Sequence, residues 1–240
     1  MQHSSIIDSN LFKSQCGEDK IIYDEIFSKI TIDNGIYLEM GAMDGIEYSN
    51  TFFFEFYLNW RGILVEPHPF NFNNLQKNRP NNIFYNNLVS NETEKQLFMY
   101  YDKYLLSAVS GIVNTLPETN IKIYFEEDNP MQNNLRETSL QKQYISPITL
   151  TTIVNDSKVD HIDLFSLDVE GHEYKVLQSY DFSIPVNVFL IENNCKHDVD
   201  ELLSSKGYIN TGIVGCNSLY VSKQFIAQHE YLQSKYKDQV

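Results

Sequence analysis

The sequence predicts one α/β domain: a mostly parallel sheet of seven strands with an antiparallel hairpin at one edge and helices on both faces. Three observations lead there. Apolar runs of strand length alternate with segments of helical spacing along most of the 240 residues, the pattern of crossover connections between parallel strands. The last two apolar runs instead follow one another across a tight Gly215-Cys216-Asn217 turn, which reads as a hairpin. A hydrophobic content of 42%, with 13% aromatic residues, supplies a core large enough for a single domain of this length.

The elements follow in order. Residues 1–34 are expected to form an N-terminal helical cap, with Ile21, Ile22, Ile26 and Ile30 on one stripe and Asn34-Gly35 as the stop. Strands are expected at 36–40, 62–65 and 83–89, with helices at 51–58 and 70–78 between them. Residues 91–147 break the alternation. Residues 97–101 have strand character, whereas Glu126-Glu127-Asp128-Asn129-Pro130 and the polar run to Gln143 read as exposed loop. This stretch is an insertion, either a lid over a substrate or a plain surface loop.

Regularity then returns. A short strand is expected at 148–150, with Thr151 capping a helix at 152–156. A strand at 163–167, a helix at 173–179, a strand at 186–191 and a helix at 199–205 follow. The hairpin occupies 208–214 and 218–221, and an amphipathic helix runs over 223–237.

Composition narrows the partners. A formal net charge of −14 with lysine and arginine scattered singly opposes a nucleic-acid partner. The cysteines Cys16, Cys195 and Cys216 are odd in number and form no Cys-x-x-Cys pair, which suits a reducing compartment better than a disulfide framework. No apolar run approaches the ~18 residues of a membrane span, and the first residues lack the pattern of a secretion signal. A cytoplasmic protein with no membrane partner is the expectation, with no staple needed for folding. A homodimer is the default oligomer.

The first strand runs into Glu39-Met40-Gly41-Ala42-Met43-Asp44-Gly45. A glycine turn after a strand lets the backbone approach a ligand and aims N–H groups at it. Here Glu39, Asp44 and Glu47 surround the turn, and no Lys or Arg lies between Lys29 and Arg61. A dinucleotide pyrophosphate would meet three carboxylates, each contact costing about 4 kcal/mol at ~4 Å and an effective dielectric near 20. A cationic ligand gains where an anionic one loses, so S-adenosylmethionine, with its sulfonium and ammonium, suits the turn better than NAD. Glu66 ends the second strand, where an acidic residue binds both ribose hydroxyls in this kind of fold. Asn86 and Asn87 lie towards the end of the third, at the height of the adenine.

The fourth strand ends in Asp168-Val169-Glu170-Gly171-His172-Glu173. A carboxylate after a buried strand is costly without a partner, so Asp168 is a candidate to hold an ammonium or to take a proton from an acceptor hydroxyl. His172 is a second candidate base, against the plainer reading of a histidine at a helix start. Asp168, Glu170 and His172 also make a minor metal option that no separate ligand cluster supports. Glu192 ends the fifth strand on the same rim.

Taken in order, several motifs resemble the FkbM family of methyltransferases: Ser14-Gln15-Cys16-Gly17-Glu18-Asp19, Glu39 to Gly45, Ser49-Asn50-Thr51, Trp60-Arg61-Gly62, Val65-Glu66-Pro67, Thr149-Leu150 and Asp168 to Glu173. The resemblance implies a class I, Rossmann-like methyltransferase domain and O-methylation, often of sugar or natural-product hydroxyls. It implies cofactor binding by Glu39, Gly41, Asp44 and Glu66; Ala42 and Gly45 in the same turn, and Asn87 from the reading of the third strand above, are candidates beside them. Gln15, Ser49, Asn50 and Thr51 would close over the cofactor, and Asp168 and Glu170 would lie at the active centre, to which the reading of the residues above adds His172. The expected acceptor is a small molecule or glycan.

Two other classes compete. Tyr231 and Lys235 have the spacing of a dehydrogenase pair, which would fit an NAD(P)-dependent oxidoreductase, although they follow the last strand. A non-catalytic binding module would keep the fold alone.

Overall fold

A computed structural model describes residues 7–102, 107–125, 139–192, 194 and 196–239. Helix α1 (Glu18–Ile22) continues into a wider turn over Tyr23–Phe27, which takes up the apolar stripe foreseen there. Strand β1 (Ile36–Met40), helix α2 (Phe52–Phe56), strand β2 (Arg61–Val65), helix α3 (Pro69–Asn78) and strand β3 (Ile83–Tyr85) follow. Strands β4 (Gln96–Tyr101) and β5 (Gly111–Ile112), the single turn α4 (Glu118–Asn120) and strand β6 (Leu140–Ile145) lie in the irregular stretch. The remainder is α5 (Leu150–Asp156), β7 (Ile162–Leu167), α6 (Glu173–Gln178), β8 (Val186–Glu192), α7 (Lys196–Ser205), β9 (Tyr208–Val214), β10 (Asn217–Ser222), α8 (Lys223–Gln228) and α9 (Glu230–Tyr236).

The main sheet has seven strands in the order β3-β2-β1-β7-β8-β10-β9. All neighbours from β3 to β8 run parallel, and β10 is antiparallel to both β8 and β9. Side chains alternate along β1 and reach two separate cores. Tyr37 packs with Phe53, Phe54, Leu75, Phe225 and Ile226 on one face. Leu38 packs with Ile153, Phe165, Val176, Leu177 and Leu203 on the other. Burial of both faces explains why these strands read as continuous apolar runs. The order reverses at β1, whose neighbours are β2 and β7, so a crevice opens beyond their carboxyl ends.

Several expectations are corrected. The third strand stops at Tyr85, and Val89 makes only an isolated bridge to Ile148. No strand occupies 148–150, because Leu150 already begins α5, and the cap is Thr149, whose side chain accepts from the Thr152 N–H at 3.1 Å. The insertion is not mainly loop: β6 pairs antiparallel along the whole of β4, with β5 on the other edge. Residues 103–106 and 126–138, including the acidic run around Glu126, lie outside the described residues. The tail helix breaks at His229, which takes an extended conformation between α8 and α9.

The cysteine reading is also corrected. Cys16 and Cys216 form a disulfide joining the N-terminal segment to the β9–β10 turn, so the odd cysteine count concealed a pair. Cys195 lies outside the described residues. Glu18, almost fully buried, accepts from the Cys16 N–H at 2.9 Å and from the Cys216 N–H at 3.0 Å. No helix among the described residues is long and apolar enough to cross a membrane.

Candidate active site

A cavity of about 300 Å³ opens at the carboxyl ends of β1, β2, β7 and β8, under a roof that includes Phe98 of β4 and Ile112 of β5. Sequence-separated segments meet there because the strand order puts β1 beside β7. The Asp168 N–H donates to the Met40 carbonyl at 3.2 Å. Gly41 is the close-approach position: its φ is +78°, and a Cβ on it would lie 2.0 Å from the Asp168 carbonyl oxygen.

The turn after β1 differs electrostatically from the sequence expectation. Glu39 is buried and saturated: its Oε1 accepts from the Asn50 N–H at 2.7 Å, and its Oε2 from the Ser49 and Thr51 hydroxyls at 2.9 and 2.6 Å. Arg79, just after α3, donates to the same Oε2 at 3.1 Å and to Glu55 at 2.6 Å. Asp44 turns back on its own loop, its Oδ1 accepting from the Ile46 and Glu47 N–H groups at 2.9 Å. The turn is thus not a ring of free carboxylates. The Arg79 guanidinium at the end of α3 balances Glu39, and local amides hold Asp44.

Of the residues foreseen around the cofactor, Gln15, Glu39, Gly41, Asn50, Glu66 and Asn87 line the cavity. Ala42, Asp44, Gly45, Ser49 and Thr51 do not line it. Ala42 packs into the core. Gly45, at φ +83°, allows Leu75 and Arg79 to pack on the turn. Ser49 and Thr51 orient Glu39. Glu66 accepts from the Met43 and His68 N–H groups at 2.8 and 2.7 Å. Burial pushes its carboxyl up to about 8 against the pull of those two amides. Asn86 donates to the Glu66 carbonyl at 2.7 Å, away from any ligand role, and leaves Asn87 facing the cavity.

On the opposite wall, Asp168, Glu170 and Glu192 bring carboxylate oxygens within 4.8 Å of one another. Burial raises all three: Asp168 to about 6, against a hydrogen bond with Glu192 that lowers it, and Glu170 to about 8, with Glu192 higher still, the last two also raised by the charge of Asp168. Asn120 donates to Glu170 at 2.8 Å. Glu173 lies behind the turn, its Oε1 accepting from the Val169 and Gly171 N–H groups at 3.1 and 3.0 Å.

His172 also lines the cavity, and both of its ring nitrogens are engaged. Its Nδ1 pairs with the Thr115 hydroxyl at 2.9 Å and its Nε2 with the Ser90 hydroxyl at 3.0 Å. Burial lowers it to about 4, so it is neutral at physiological pH. It ties the insertion to the strand-end turn, and Glu192 stands beside Asp168 and Glu170. Sequence reasoning also missed Arg79, Ser90, Thr115 and Asn120, none of which sits in a motif. Tyr231 and Lys235 are not in the cavity, and Lys235 instead pairs with Glu25 at 2.7 Å.

A family model described as "Methyltransferase FkbM domain" matches residues 39–209, well over half of the chain, from the end of β1 to the start of β9. No curated protein matches the chain.

Proposed function

The chain belongs to the FkbM methyltransferase family, and on that premise we propose that it is an S-adenosylmethionine-dependent O-methyltransferase acting on a sugar or glycan hydroxyl. The observation that carries the reading is the donor set. Glu39, Glu66, Asp168, Glu170 and Glu192 line the cavity, and among the described residues no Lys or Arg does. Asp168, the least raised of these acids, keeps negative charge for a cationic ligand, and a pyrophosphate would meet no lysine or arginine among the described lining residues. The residues present therefore fit S-adenosylmethionine: Glu66 stands where it would accept from ribose hydroxyls, Asn87 where an amide would meet the adenine, and Gln15, Gly41 and Asn50 around the methionine end.

When bound, S-adenosylmethionine supplies a methyl group already activated on a positive sulfur. The chain's own task is to align the acceptor, exclude water and receive a proton. Asp168, held near the middle of the physiological range by burial, is tuned to take the proton of an acceptor hydroxyl, with Glu170 and Glu192 beside it. Leu88, Phe98 and Ile112 pack together over the cavity and keep bulk water out. Ser110 and Asn120 line the insertion side, and the Ser110 hydroxyl is buried with no hydrogen-bond partner among the described residues. Such an unsatisfied group suits a polyhydroxylated acceptor. The net charge of −14 is consistent with an acceptor other than nucleic acid.

Thermal unfolding with S-adenosylmethionine, S-adenosylhomocysteine and NADH tests this directly. Either sulfur ligand at 100 times its dissociation constant should stabilise the chain by about 2.7 kcal/mol, and Glu66→Ala should diminish the shift. Asp168→Ala should abolish methylated product in mass spectra after incubation with candidate sugars. A shift with NADH alone, or none with either sulfur ligand, would overturn the proposal.

A further inference from the structure

We propose that Asp168, Glu170 and Glu192 form a binding site for one hard divalent cation, of the Mg²⁺, Mn²⁺ or Ca²⁺ class, at the end of the cavity beneath the insertion. Two ligands of one ion are separated by at most twice the ion–oxygen distance, about 4–5 Å for this class. The three carboxylates each offer an oxygen within 4.8 Å of the other two, inside the Ca²⁺ limit of about 5 Å, and a smaller ion would draw them in by a few tenths of an ångström. Glu192 ends β8 and Asp168 follows directly on β7, the two strands pairing parallel from Ile162 to Leu167, while the turn after β7 carries Glu170.

Charge balance points the same way. Among the described residues no Lys, Arg or His forms an ion pair with any of the three, and the buried guanidinium of Arg79 is committed to Glu39 and Glu55. Buried like charges without a counter-ion are costly. Glu173 adds a fourth carboxylate behind the turn, fully buried and with its Oε2 unpartnered among the described residues. Its other oxygen grips the N–H groups of Val169 and Gly171 and so holds the backbone that carries Asp168 and Glu170.

A neutral oxygen completes the picture. Asn50 is 94% buried, lines the same cavity, and donates through Nδ2 to the Ser166 hydroxyl at 2.9 Å. Ser166 precedes Asp168 by two residues and shares its side of β7. The Asn50 Oδ1 has no hydrogen-bond partner among the described residues. The three carboxylates are an all-oxygen set, which hard cations select over the nitrogen and sulfur ligands favoured by zinc and copper, and the unpartnered oxygen belongs to a residue lining the same cavity. His172 is turned away to Ser90 and Thr115. The ion's part in methyl transfer, polarising the acceptor hydroxyl, rests on the function proposed above; the site itself does not.

The test uses the full chain, stripped with a chelator and titrated with Mn²⁺ in the absence of cofactor and acceptor, free Mn²⁺ being read by electron paramagnetic resonance. Saturable binding of a single ion, displaced by excess Mg²⁺ or Ca²⁺, is expected. The Glu170→Gln/Glu192→Gln pair should weaken it by about a hundredfold or more. Without metal that variant should unfold at a higher temperature than the parent, because glutamine keeps the shape and removes repulsion. Mn²⁺ should raise the parent's unfolding temperature and leave the variant's unmoved. Should the pair fail to fold, Glu192→Gln alone, titrated in the same way, decides. No saturable binding below about 10 mM, or undiminished binding in the variant, would overturn the site. A chain that answers to S-adenosylmethionine but not to Mn²⁺ would lose the ion and keep the enzyme; the opposite pattern would do the reverse.

Discussion

Arg79 is fully buried, and its guanidinium donates to Glu55, Glu39, Ser49 and Thr51 while lying over the Tyr37 ring at 5.0 Å. It locks the turn after β1 to the end of α3. Arg79→Met should cost about 3–5 kcal/mol in urea unfolding, because Glu39 would be left as an uncompensated buried charge. Arg79→Lys should not rescue it, since a point charge cannot reproduce the fork. Sequence spacing found Glu39, Glu66 and Asp168 because each ends a strand at the rim of the sheet. It could not find Arg79, which approaches from another element, and so overestimated the free negative charge of the turn. The partners of His172 were hidden for the same reason: the hydroxyls that occupy its nitrogens belong to Ser90 and Thr115, 82 and 57 residues away.

Among elements, the strands of the main sheet were legible because both faces are buried and their apolar runs are unbroken. Strand β6 was not. Its residues Gln141, Lys142 and Gln143 are polar, the last two exposed, so composition reads loop while pairing with β4 makes a strand. The cap of α5 was misplaced by two residues because Thr149, Thr151 and Thr152 are equivalent in composition and only geometry selects Thr149. The β1–β7 junction is the most sensitive place for an element-level change. Gly41→Ala adds a Cβ at 2.0 Å from the Asp168 carbonyl, at a φ that L-residues disfavour. It should destabilise by about 2–4 kcal/mol in urea unfolding and abolish the thermal shift with S-adenosylmethionine.

For the molecule as a whole, alternation of apolar runs was enough to foresee a mostly parallel seven-stranded sheet with an edge hairpin, since crossover connections leave few topologies open. The covalent link between its two ends was invisible: Cys16 and Cys216 lie 200 residues apart, with no motif to join them. Both fall outside the segment matched by the family model, and Gln15, beside the first, lines the cavity. Reduction by a mild thiol should lower unfolding stability by up to about 5 kcal/mol, the chain-entropy value for so long a loop. Paired urea titrations with and without reductant measure it, and mass spectrometry of alkylated protein counts the thiols released.

The carboxylate of Glu18 grips the amide of each bridged cysteine, and this makes it a template for the bond as well as a neighbour of it. Two thiols whose main chains are already tethered to one side chain face each other at a high effective concentration, whatever the state of the sulfurs. Oxidation after folding then becomes a local event rather than a search across the chain, and a reduced molecule re-forms the same pair.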